Sequence, residues 1–100
     1  MNDPNINLWR PLLPEFSEVR KLDDDELRDL GGATEEITLS VMTGMESLAS
    51  LVSLAAGVRG CGMSQHDMFA IAWMQKTLTN LLYELRQLSG YIDVVEKEAA

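Results

Sequence analysis

Cys61 and His66 are the chain's one cysteine and one histidine. They lie five positions apart across a glycine-rich stretch, Gly57-Val-Arg-Gly-Cys-Gly-Met63. As a nucleophile and base, the imidazole would take the thiol proton. That chemistry needs a third group to orient the histidine and donors to hold an oxyanion, and the sequence marks neither. As zinc ligands the pair fills two of four positions, so a site would need Asp67 or a second chain. The expectation is a small turn cysteine and a first-turn helix histidine, the free thiol being able to cross-link two chains on oxidation.

Asp23-Asp24-Asp25-Glu26 is the other cluster with chemical potential. A calcium loop places acidic or amide groups at alternating positions and then a glycine. Here the fifth position is Leu27 and the sixth Arg28, so the pattern fails. Glu46 is the lone charge between Ile37 and Val58, expected on a wet strip or paired with Arg59 or Arg86. There is no phosphate-binding glycine loop, no G-x-S-x-G, no HExxH and no CxxC. Neither an enzyme nor a cofactor is expected.

The element that must organise these residues is the stretch from Ser64 to Leu88. Ile71, Met74, Leu78, Leu81, Leu85 and Leu88 recur at alternating spacings of three and four, which predicts a long amphipathic helix over 64–89. Ser64 and Asp67 have the spacing of a reciprocal helix cap. Gly90 is expected to end or bend this helix, although Ile92 and Val95 keep its phase, and 90–100 is read as a solvated tail.

Upstream, 35–57 reads as a second helix, with Thr34 as its cap and Val41, Met45, Leu48, Val52 and Ala55 as its stripe. It is apolar nearly all round, and small residues would permit close approach. A membrane span is long enough here, but Glu46, the serines and threonines, and the missing basic flank favour a helix buried on more than one side. Two helices of about 35 Å joined by a short turn imply an antiparallel hairpin.

Gly31-Gly32 reads as a break, leaving 23–30 as a short acidic helix with Asp23 and Glu26 capping it and Leu27 and Leu30 facing inward. Residues 1–22 hold all three prolines together with Trp9, Leu12, Leu13 and Phe16. They are expected to be an extended strap over the helices, rather than a PxxP ligand at Pro11–Pro14.

One hundred residues make one domain. The 46% hydrophobic content is ordinary for a folded protein. The net charge of −8 disfavours direct nucleic-acid binding, because phosphate contacts need Lys and Arg. It also disfavours an anionic membrane surface. From Lys21 to Glu36 seven acids (Asp23, Asp24, Asp25, Glu26, Asp29, Glu35 and Glu36) face two bases, which reads as a solvated helix start favoured by the helix dipole or, alternatively, as a docking patch for a basic protein. A single cysteine and the lack of a secretory signal at the N-terminus fit the cytoplasm.

The fold expectation is therefore all-α: a hairpin with a short acidic helix and a strap. Apolar groups left over on both helices imply a four-helix homodimer. Two functions fit. One is an inhibitor or adaptor presenting its acids to a basic groove. The other is an oligomerisation or antitoxin-like module binding through apolar helix faces. In size, charge and lack of catalytic motifs the chain resembles the small acidic proteins of bacteriophages and mobile elements, including anti-CRISPR inhibitors. That resemblance implies blockage of the DNA-binding surface of an effector complex. It is not one of aligned residues, so no site carries over.

Overall fold

The computed structural model describes residues 8–57 and 63–99. It is about 87% helical, with three α-helices and no strand among the described residues. The fold is all-α. A 3-10 turn, Arg10–Leu12, precedes α1 (Phe16–Val19), α2 (Asp24–Gly57) and α3 (Gln65–Ala99).

α2 starts at a reciprocal cap. The Glu26 amide donates to Asp23 Oδ1 at 2.8 Å, and the Asp23 amide donates to Glu26 Oε1 at 3.1 Å. The helix then runs through Gly31-Gly32, so the expected acidic helix 23–30 and the helix 35–57 are one rod. Neither glycine has a positive φ. Thr34 is no cap: it is buried, and its Oγ1 donates to the Leu30 carbonyl at 2.7 Å, one turn back. The reason is packing. Two helical glycines cost about 1 kcal/mol each, whereas burying a leucine contributes about 1.5–3 kcal/mol. Leu27 is buried and Leu30 packs beside it, and both depend on the helix keeping its phase.

That phase is visible along the whole of α2. Leu27, Gly31, Thr34, Thr38, Val41, Met45, Leu48, Val52 and Ala55 advance by fours and threes. With Leu30 they are the residues of α2 that are buried or half-buried. The rest of the helix is exposed, so its distal part is covered on one side only, not on several.

α3 also begins at a reciprocal cap, Asp67 amide to Ser64 Oγ and Ser64 amide to Asp67 Oδ2, both 3.1 Å. It passes Gly90 and runs to Ala99, so 90–99, expected as a tail, are helix. Tyr91, Ile92 and Val95 lie beyond the glycine and pack into the core, which offsets the glycine's helix cost. Of the expected seam, Leu85 and Leu88 are buried, Ile71, Leu78 and Leu81 are half-buried, and Met74 is 46% exposed.

The segment before α2 is not extended throughout. Pro11 sits in the first turn of Arg10–Leu12, where its missing amide proton is no loss. Leu13, before Pro14, is extended, as proline's ring requires of its predecessor. Glu15 and Glu18 then cap α1 reciprocally. This segment lies on α3. The Trp9 indole N–H donates to the Thr77 carbonyl at 2.8 Å, Phe16 tilts against Tyr91 with ring centroids 5.4 Å apart, and Val19 is 0% exposed. Residues 1–7 of the expected strap lie outside the described residues.

Val19, Leu27, Leu88, Ile92 and Val95 form the core, backed by Phe16, Leu22, Leu30 and Tyr91. All belong to α1, the link after it, the start of α2 or the end of α3, so the core sits at one end of the molecule, here the proximal end. Positions that advance along α2 meet positions that recede along α3. Leu27 shares a hollow with Glu96 and Ala99, Gly31 faces Ile92, and Val41 and Gly44 share a hollow with Leu78. The molecule measures 58 × 32 × 15 Å. α2 and α3 lie side by side along the long dimension, as one layer of helices.

Candidate interaction surface

The seven acids singled out in the sequence, Asp23, Asp24, Asp25, Glu26, Asp29, Glu35 and Glu36, are all exposed on α2 or at its cap. Asp23 and Glu26 are engaged in capping, and Asp25 lies 3.7 Å from Arg28. The fold brings α3 acids to the same end. Glu96 lines a hollow with Asp24 and Leu27, and Glu98 pairs with Arg20 of the strap at 3.4 Å.

Charge is divided unevenly along the molecule. Residues 37–83 contain two acids, Glu46 and Asp67, and two bases, Arg59 and Lys76. They balance, so the whole net charge of −8 falls outside them. Glu46 itself is exposed.

Most of the bare apolar groups lie in the neutral half, with Leu8, Leu12 and Val94 exposed outside it. Leu51 and Leu54 on α2, and Phe69 and Trp73 on α3, are 63–68% exposed. Ile37, Leu39, Met42, Met68, Met74 and Tyr83 are exposed too. The spacing 37, 40, 44, 47, 51, 54 makes a second stripe on α2 beside the covered one, with Ser40, Gly44 and Ser47 small at its centre. On α3, Phe69 and Trp73 are one turn apart, and the Lys76 ammonium sits 5.9 Å from the Trp73 ring centre. An 18-residue window within α2 has a mean hydropathy of 1.4 and no buried residue. By length and composition it could cross a bilayer.

Chemistry finds less support. Among the described residues no three His, Cys, Asp or Glu side chains cluster to hold a metal ion. His66 is exposed in the first turn of α3, and Cys61 lies outside the described residues. A groove of about 490 Å³ between the proximal halves of α2 and α3 is lined by Thr34, Thr38, Leu85 and Ile92, with Arg28 and Arg86 at its rim. It is open, and its threonine hydroxyls point to backbone, Thr34 to Leu30 and Thr38 to Thr34, each at 2.7 Å.

Two anchoring contacts were not readable in the sequence. Trp9 to Thr77 and Arg10 to Glu84 join residues 68 and 74 positions apart, and neither has a local spacing signal. No family model matches the chain, and no curated protein and no solved structure matches it.

Proposed function

We propose that the chain is a non-catalytic helical interaction module. In this reading α2 and α3 form an antiparallel hairpin that is steadied at its proximal end by the strap and binds protein helices through the apolar surface of its distal half. The observation that carries the reading is the exposure of Leu51, Leu54, Phe69 and Trp73, at 63–68% each, in one neutral region of a molecule 15 Å thick. Each such side chain left in water forgoes about 1.5–3 kcal/mol, a large share of a domain's margin of about 5–15 kcal/mol. A partner helix with its own apolar stripe would recover it. A bilayer fits less well, because α3 would carry Gln75, Lys76, Thr79 and Asn80 into hydrocarbon beside α2.

A second reading has an observation of its own. The fold gathers acids from α2 and α3 at the proximal end, which suits a basic, nucleic-acid-binding surface of a partner complex, as an anti-CRISPR-like inhibitor would require.

Affinity capture from source-cell lysate, with nuclease treatment and mass spectrometry, separates the two. The apolar reading expects capture to survive about 1 M salt, where the screening length is about 3 Å. It also expects L51E/L54E to abolish capture and D24K/D25K/D29K to leave it. The reverse pattern establishes the acidic reading and overturns the apolar one.

A further inference from the structure

We propose that the occupant of the distal apolar surface is a second copy of this chain, packed distal half on distal half with the two acidic ends pointing apart. The inference rests on the distal half being a docking surface and identifies what docks there.

Area is the first argument. Leu51, Leu54, Phe69 and Trp73 are each 63–68% exposed, with Ile37, Leu39, Met42, Met68 and Met74 around them, and an ordinary specific interface takes about 800 Å² from each partner. A layer one helix thick becomes two packed layers when a second layer is laid on it, which is the minimum architecture for a buried core. The second copy brings the complementary surface by symmetry.

Charge is the second argument, and it selects the orientation. Residues 37–83 are balanced, with Glu46 and Asp67 against Arg59 and Lys76, so two distal halves meet without net repulsion. The charge of −8 on each chain lies in the remainder. Stacking the copies with proximal ends together would oppose Asp24, Asp25, Asp29 and Glu96 with their own duplicates. Turning one copy about the centre of the distal half separates these groups by more than a helix length, at least roughly 50 Å, far beyond the screening length of about 8 Å at physiological salt.

Spacing is the third. Leu27, Thr34, Val41, Leu48 and Ala55 recur every seven residues, and the adjacent stripe holding Leu51 and Leu54 keeps the same repeat. Such a repeat sustains side-by-side helix packing over several turns. The small residues Ser40, Gly44 and Ser47 on that stripe let a second helix approach closely.

The dimer so formed displays two acidic ends facing opposite ways. The full chain carrying Cys61→Ser is the test molecule, spin-labelled at Ser50→Cys on distal α2 or at Ser17→Cys on α1, both exposed sites. Sedimentation is expected to give a dimer. Dipolar distances should be short between Ser50 labels and at least roughly 50 Å between Ser17 labels. L51E/L54E is expected to weaken association at least tenfold with unchanged circular dichroism. A dimer with close Ser17 labels and distant Ser50 labels overturns the arrangement. A monomer overturns the second-copy assignment. If capture of another protein is still lost in L51E/L54E, the docking reading stands without it; if capture is unchanged, both fall.

Discussion

The Arg10 guanidinium donates two hydrogen bonds to one carboxylate oxygen of Glu84, at 3.2 and 3.1 Å, across 74 positions of sequence. Glu84 has 10% of its side chain exposed and Arg10 has 71%. About two turns nearer the start of α3, the Trp9 indole bonds to Thr77. Among the described residues these contacts are where the strap's anchoring ends and the bare half of α3 begins. The proximal end is thus held by a core and a strap, and the distal end by one stripe.

The strap is expected to matter through its buried residue more than through its ion pair. Val19→Ala should destabilise the chain by about 1–3 kcal/mol, since a fully buried branched side chain is removed from a small core. Arg10→Ala should cost less than about 1 kcal/mol, because its guanidinium is largely in water. Urea denaturation followed by circular dichroism gives both values.

Helix continuity makes an opposite-sign prediction at the glycines. A Cβ on Gly31 would meet Ile92 Cγ2 at 3.8 Å, an ordinary contact, and one on Gly32 or Gly90 would meet nothing within 4 Å. Gly31→Ala, Gly32→Ala and Gly90→Ala should therefore each stabilise by about 0.5–1 kcal/mol through helix propensity and unfolded-state entropy. Had a glycine ended its helix in the left-handed conformation, alanine there would destabilise. The urea midpoints of the three variants decide the sign.

These glycines also show how far the fold was legible. The all-α class, the caps at Asp23–Glu26 and Ser64–Asp67 and the inward leucines of 27–30 follow from local spacing, whereas the start expected at Thr34 does not exist. The union of the two α2 segments was also written in the sequence, in the seven-residue step from Leu27 through Thr34 to Val41. It was masked because Gly-Gly and a following threonine are good local stop-and-start chemistry, and only tertiary burial of Leu27 and Leu30 outweighs them. The interaction surface divided similarly. The acids are exposed, those of the first turn of α2 (Asp24, Asp25 and Glu26) and those further along it alike. The α3 seam is only half covered, because burial depends on where Val19, Phe16 and Trp9 land on α3, and no local pattern encodes that.

Acid reversal should leave the architecture intact. D24K/D25K/D29K removes no capping group, since Asp23 and Glu26 make those bonds. A loss of about 0.3–1 kcal/mol per first-turn charge is expected from the helix dipole, with full helicity by circular dichroism. Self-association by sedimentation should be unchanged or stronger.

The apolar window of α2 should not insert into lipid. In flotation with neutral phosphatidylcholine vesicles the chain is expected to stay in the aqueous fraction, and L51E/L54E should behave the same. Flotation of the wild type that L51E/L54E abolishes would replace protein docking with membrane binding.

Amide hydrogen exchange at low and high protein concentration tests the central claim most directly. At low concentration the amides of residues 84–95 should exchange slowly and those of 37–57 and 65–76 faster, following the position of the core. At high concentration, exchange over 37–57 should slow at least tenfold while the proximal end stays unchanged. Exchange over 37–57 that is independent of concentration, and unaltered by added partner helices, would contradict the reading of the distal half as a docking surface.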